Sequence, residues 1–143
     1  PPLIYQGRLN LLDHEPQEQG ILDFCHEKGI GFISFSPLAQ GLLTDRYLNG
    51  IPQDSRIAHG GHLKKEALTE TTLRRISALN EVAKRRGQTL AEMALAWILK
   101  DDMVTSVIVG VSSTAQLEKN LKAISNTTFS SEELQEIENI CKE

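Results

Sequence analysis

Apolar residues are arranged along this chain in two ways. Short runs occur at Ile30-Gly-Phe-Ile-Ser-Phe35 and Val104-Thr-Ser-Val-Ile-Val109. Both are apolar at successive positions, which suits parallel strands buried on both faces. Leu3–Gln6 is a shorter strand candidate. Between the runs, apolar residues recur at three- and four-residue steps, the spacing of helices with one buried side. Glu18–Lys28 is predicted helical, with Ile21, Leu22, Phe24 and Cys25 inward and Gly29 as its stop. Thr71–Arg86 follows the same rule through Leu73, Ile76, Leu79, Val82 and Ala83, and ends at Gly87. Thr89 with Glu92 reads as a capping box. It opens a helix to Lys100 that is apolar almost all round and predicted to be deeply packed. Ser113 with Gln116 reads as another box, opening a helix to about Ile124; Ser130 with Glu133 opens the last, with Leu134, Ile137 and Ile140 on one side.

Strands alternating with helices predict a parallel sheet with helices outside it. Three such strands alone would leave open edges. A (β/α)8 barrel closes those edges but typically takes ~250 residues. The chain has 143 residues and opens Pro1-Pro2-Leu3-Ile4, already close to a strand. The expectation is therefore the C-terminal part of a (β/α)8 TIM barrel, residues 1–143 forming one portion of a domain whose first half lies elsewhere.

Charge and composition narrow the partners. The chain is 40% hydrophobic and 24% charged, with a net charge of −4. Nothing there favours nucleic acid or an anionic membrane. The basic clusters Lys64-Lys65, Arg74-Arg75 and Lys84-Arg85-Arg86 are short and read as solvated helix ends. Cys25 and Cys141 are far apart, which fits a reducing, cytoplasmic setting without a disulfide framework. No apolar run reaches the ~18 residues of a transmembrane helix. His59 and His62 are spaced as a metal pair could be, but no third ligand cluster accompanies them, so no metal site is predicted.

Two strand ends carry candidate chemistry. The first continues as Ser36-Pro-Leu-Ala-Gln-Gly-Leu-Leu-Thr44, an apolar, glycine-containing loop where a ligand would be expected in such folds. The second continues as Gly110-Val-Ser-Ser at a helix start, whose free N–H groups suit a phosphate. Ser112 and Ser113 could equally be ordinary helix caps, and spacing alone leaves both readings open. Residues 45–69 form a long connection with little pattern, of the kind that is often functional.

Taken together, Gln6-x3-Asn10-x-Leu12, Phe35-Ser-Pro-Leu-Ala-Gln-Gly-Leu-Leu-Thr, Gly50-Ile-Pro-x2-Ser-Arg56 and Val109-Gly-Val-Ser-x3-Gln-Leu-Glu-x-Asn120 resemble the C-terminal half of an aldo-keto reductase. The branch they resemble includes potassium-channel β subunits and bacterial glyceraldehyde-3-phosphate reductases. The resemblance implies a barrel that binds NADP(H) without a Rossmann domain and reduces a small carbonyl substrate. By it, Gln6 would hydrogen-bond the nicotinamide carboxamide and Phe35 would stack on the ring; by local pattern alone Phe35 is a core aromatic. Ser36, Pro37, Leu38, Ala39 and Gln40 would line the pyrophosphate and ribose. Arg46 takes the place of a usual lysine, next to Asp45 where glycine is frequent, and Arg56 would be a second cation for the 2′-phosphate. Gly110, Ser112 and Gln116 match the adenosine-phosphate site, and Asn120 the adenine edge. Lys119 stands where Glu is common and cannot accept the adenine amino hydrogen bond, so adenine binding is expected either to be looser or to use Glu118. The family's tyrosine, lysine, aspartate and histidine lie in the N-terminal half, so no catalytic residue is assigned here and the chain alone is expected to be inactive. The resemblance also permits a non-enzymatic regulatory module or an inactive half-barrel, and leaves open a homo-oligomer or pairing with the missing half.

Overall fold

A computed structural model describes residues 2–48 and 69–142. Among these residues three strands form one parallel sheet: β1 (Ile4–Arg8), β2 (Gly31–Phe35) and β3 (Ser106–Val107), in that order. Six α-helices among the described residues accompany them: α1 (Glu15–Glu18), α2 (Ile21–Lys28), α3 (Glu70–Arg85), α4 (Leu90–Ile98), α5 (Thr114–Leu121) and α6 (Ser131–Lys142). Strand–helix alternation around a parallel sheet is the expected arc of a barrel.

Local chemistry explains most boundaries. Gly20 adopts φ 78° and separates α1 from α2, so the helix expected over Glu18–Lys28 begins at Ile21. Pro16 sits in the first turn of α1, where its missing N–H costs nothing. Gly29, at φ 70°, closes α2. Thr89 and Glu92 form a complete capping box at α4, and Ser130 and Glu133 form another before α6.

Helix α4 is buried as expected, from Met93 through Ile98. It packs with α3, whose Ile76, Leu79, Val82 and Ala83 face inward, and α3 packs in turn on α6 through Ile137. Phe32, Leu9, Leu11, Leu43 and Tyr47 complete this core.

Four expectations need correction. Phe24 is 54% exposed rather than on the buried side of its helix. The strand expected over Val104–Val109 pairs as a ladder only at Ser106–Val107, with Thr105 N–H on Phe32 O at 2.8 Å and Ile108 N–H on Ser34 O at 2.9 Å just outside it. Pairing stops there because β2 ends at Phe35 and Pro37 follows. The central strand β2 is not buried on both faces. Phe32 and Ser34 are buried on one side, while Ile33 and Phe35 are half-buried on the other.

Finally, Arg86 is no solvated helix end. Its side chain is 2% exposed, with its guanidinium 3.7 Å from the centre of the Phe129 ring. It donates to Gln88 Oε1, Thr128 O, Asn126 O and Glu133 Oε1, clamping the end of α3 to the start of α6.

Candidate functional site

The two strand ends singled out from the sequence meet in one cleft of about 400 Å³. Its walls include Ser36, Pro37, Leu38, Gln40, Gly41, Thr44, Asp45 and Arg46 from the loop after β2, and Ile108, Val109, Gly110 and Gln116 from β3 to α5. Parallel pairing of β2 with β3 makes this happen, because it sets their C-terminal ends side by side. A second cleft of about 390 Å³ lies on the helix side of β1, lined by Tyr5, Ile21, Phe24 and Cys25 among others. It is almost wholly apolar and lacks convergent polar groups, so it is the weaker candidate.

The loop after β2 is held in an unusual shape. Ser36, Ala39 and Gln40 have φ of 52°, 50° and 56°, left-handed values that cost a non-glycine residue ~1–2 kcal/mol each. Gly41 follows at φ 94°, where glycine is needed. Strain of this kind persists only when surrounding contacts impose it. Buried Asn10 supplies one such contact: its Nδ2 donates to Ser36 O at 2.9 Å, while its Oδ1 accepts from Leu12 N–H at 2.9 Å. Ser34 adds another, its Oγ donating to Leu9 O at 2.7 Å. Within the loop, Leu43 N–H and Gly41 N–H both reach Leu38 O, and Thr44 Oγ donates to Gly41 O.

Across the cleft, the helix start is already satisfied from within. Ser113 Oγ accepts from Gln116 N–H at 3.1 Å, so Ser113 is the cap. The reciprocal bond is displaced by one residue from a capping box: Gln116 Oε1 accepts from Ser112 N–H at 2.7 Å and Ser112 Oγ at 3.1 Å. Ser112 is therefore a donor pair aimed at an acceptor beside the cleft, and Ser113 an ordinary cap. Opposite charges, Asp45 and Arg46, sit together on the other wall. Gln40 Oε1 is buried there without a hydrogen-bond partner among the described residues, an orphan acceptor that a ligand's hydroxyl or amide could satisfy.

Gln6 and Phe35 lie on the open face of the sheet. Gln6 pairs in register with Ile33, and Phe35 with Arg8, so period-two alternation puts Gln6, Arg8, Ile33 and Phe35 on the same side. Phe35 is half-buried, so it does not serve as a fully enclosed core aromatic. Ala39 packs partly against the core beside the cleft. Lys119 is exposed and Asn120 half-buried on α5, and neither lines the cleft. Arg56, His59 and His62 lie outside the described residues. Among the described residues, no cluster of three metal-ligating side chains occurs, and no helix is long and apolar enough to cross a membrane.

Asn10 and Arg8 did not emerge as site residues from the sequence. Asn10 had a usable signal: one polar residue inside Leu9-Asn-Leu-Leu12, where its flanking leucines are buried. Arg8 had none, since only strand register shows what it faces.

Known proteins resemble the chain over almost its full length. A model of the Aldo/keto reductase family matches residues 1–142. L-glyceraldehyde 3-phosphate reductase of Escherichia coli K12 is 51% identical over 142 residues, covering 96% of this chain and 41% of that protein. A probable voltage-gated potassium channel subunit beta of Arabidopsis thaliana is 36% identical over 126 residues, 86% of this chain and 38% of the relative. Among solved structures, the holo form of an aldo-keto reductase from Bacillus halodurans superposes with a TM-score of 0.67 at 25% identity, over 96% of this chain and 42% of that one. The chain thus spans about two fifths of the length of the curated relatives it matches.

Proposed function

Because the chain belongs to the aldo/keto reductase family, we propose that it forms the C-terminal, cofactor-holding portion of a barrel that reduces small aldehydes and ketones with NADPH. The observation that carries this reading is the single cleft where the strained loop after β2 meets the start of α5. NADPH, when bound, supplies the hydride; this chain's residues bind and orient it. Gln6 would hold the carboxamide and Phe35 would support one face of the ring. Ser36, Pro37, Leu38, Ala39 and Gln40 would cover the pyrophosphate and ribose, the orphan Gln40 Oε1 gaining a donor. Arg46 and Arg56 would meet phosphate oxygens, as arginine forks do. Gly110, Ser112 and Gln116 would hold the adenosine phosphate, with Lys119 and Asn120 near the adenine. A buried Cys25 and an unpaired Cys141 fit a reducing, cytoplasmic location.

The proton donor for the carbonyl oxygen would come from outside these 143 residues, since general acid catalysis needs a group at hydrogen-bond distance from that oxygen. The test has two arms. Full-length protein with glyceraldehyde should consume NADPH, and the 143-residue chain alone should not. Absence of turnover in the first, or clear turnover in the second, would overturn the corresponding half of the proposal.

The 36% identity to a probable channel subunit beta supports a second reading, a regulatory module built on the same cofactor site. It predicts NADPH binding without multiple turnover in the full-length protein.

A further inference from the structure

We infer that His14 is a positioning residue whose protonation state sets the affinity for NADPH, an inference that rests on the cofactor reading above. Its side chain is 8% exposed, enclosed by described residues of this chain. The ring stacks on Trp97 of α4, with centres 4.6 Å apart. Nε2 lies 2.9 Å from Leu11 O. A carbonyl only accepts, so Nε2 carries the proton of the neutral ring and Nδ1 is bare. Nδ1 faces Glu138 Oε2 of α6 at 3.8 Å, too far for a hydrogen bond.

Leu11 O accepts a second donor, Cys141 Sγ in the last turn of α6, at 2.9 Å. The two donors pin the turn that carries Asn10, across which Asn10 and Asp13 exchange backbone hydrogen bonds of 3.1 Å. Asn10 Nδ2 in turn holds Ser36 O at the strained start of the cleft loop. His14 therefore reaches the cofactor loop through Leu11 and Asn10.

A charge on the ring upsets this arrangement. Burial disfavours it most, and Lys100, whose ammonium lies 4.2 Å from the same Trp97 ring, disfavours it too. Leu11 O, Glu138 and Glu18 favour it, but burial wins and holds His14 below the usual histidine range. Glu138 is half-buried and pairs with Lys142 near the surface. An imidazolium gains both water and a carboxylate by swinging toward Glu138, and that movement gives up the bond to Leu11 O. Cys141 does not replace it, since a thiol is a weak donor. Burial raises that thiol to about 11, so His14 is the group of the pair that titrates near neutrality. NADPH then binds best to the neutral form. Affinity is full above the folded value of His14 and lost as pH falls through it; by reciprocity, bound NADPH makes the ring harder to protonate.

The experiment measures the dissociation constant of NADPH by its fluorescence between pH 8 and pH 5. It uses the full-length protein and its His14→Gln and Glu138→Gln variants. Glutamine can still donate to Leu11 O and does not titrate. The 2′-phosphate of NADPH takes up a proton near pH ~6, a change common to all three proteins. Beyond that shared change, the wild-type constant should rise about fivefold more than that of His14→Gln, the worth of one hydrogen bond. Glu138→Gln should move the wild-type curve to lower pH. At saturating NADPH, kcat should follow the same pH profile in wild type and His14→Gln, so the difference falls on KM for NADPH; a merely structural histidine would instead lower kcat as protein unfolds. Superimposable binding curves for wild type and His14→Gln overturn the proposal, as does a difference that appears only in kcat. Where His14→Gln does not fold, an unshifted curve for Glu138→Gln overturns it. A wild-type protein that binds no NADPH at any pH overturns the cofactor reading itself, and this proposal with it.

Discussion

Asn10→Ala offers a direct test of whether the loop after β2 is preformed for its ligand. The side chain is 2% exposed and makes two hydrogen bonds, to Ser36 O and from Leu12 N–H. Each contributes ~1 kcal/mol net, and an orphaned Leu12 N–H adds ~1 kcal/mol or more. Ser36 O keeps the Ala39 N–H at 3.1 Å, so its own loss is partial. The sum is about 2–3 kcal/mol of stability, and urea denaturation of the full-length protein should show the midpoint fall. A share of that energy, about 1–2 kcal/mol, holds the left-handed backbone at Ser36 against its strain. In the variant that ordering must occur on binding, so the dissociation constant for NADPH should rise about 5- to 30-fold. Asn10→Asp sharpens the logic. It keeps the acceptor for Leu12 N–H but turns an acceptor toward Ser36 O, so NADPH should bind it no better than Asn10→Ala. If Asn10→Ala loses stability while NADPH affinity stays within about twofold, the preformed-loop argument is wrong.

The same backbone predicts a trade in the opposite sense. Ala39→Gly relieves a φ of 50° and should raise stability by ~1 kcal/mol in thermal unfolding while loosening NADPH binding. Gly7→Ala would place a methyl 2.9 Å from the ring of buried Phe32, and should cost ~1–3 kcal/mol in urea denaturation. Arg86→Ala removes a buried clamp with four acceptors; with Glu133 still partly solvated the loss is ~2–4 kcal/mol, and Arg86→Lys, which cannot span them, should recover little of the urea midpoint. His14 is pushed below the usual histidine range by burial; Leu11 O, Glu138 and Glu18 oppose this, while Lys100 adds to it. The fold prefers its neutral form, stacked on Trp97. The stability tied to that neutral form is full above the unfolded value near 6.5 and lost as pH falls through the lower, folded one. The urea midpoint should therefore drop on acidification below about pH 6.5, and His14→Gln should flatten the drop.

Element type was legible wherever period and caps agreed. The Thr89–Glu92 and Ser130–Glu133 boxes are signals contained in four residues, and the structure forms both in full. The Ser113–Gln116 pattern is the same at that range, yet Gln116 turns to Ser112, one residue early. A backbone donor and a hydroxyl together attract it more than one backbone donor. Gly20 was missed as a break because the apolar spacing of Ile21, Leu22 and Cys25 does not register a left-handed residue just before it. Arg86 looked like its neighbours Lys84 and Arg85, since all its partners but Gln88 lie forty and more residues away. Within this chain only one face of β2 is fully buried, for a related reason. Composition says that a strand can be covered, and only the arrangement of other elements says whether it is. The cleft itself followed from two strand ends, because parallel order fixes which ends lie side by side.

The Gln116 amide on the Ser112 donors has one further consequence. Any anion that takes those donors arrives by exchange, displacing a resident oxygen already in place. Two solvent-exposed hydrogen bonds hold the amide down by ~1–2 kcal/mol together, leaving the donors vacant in roughly 3–15% of molecules at any instant. Rotation of an exposed side chain takes nanoseconds or less, so arrival is not slowed. Affinity for such an anion, however, is taxed by that vacant fraction, so the start of α5 favours release over retention.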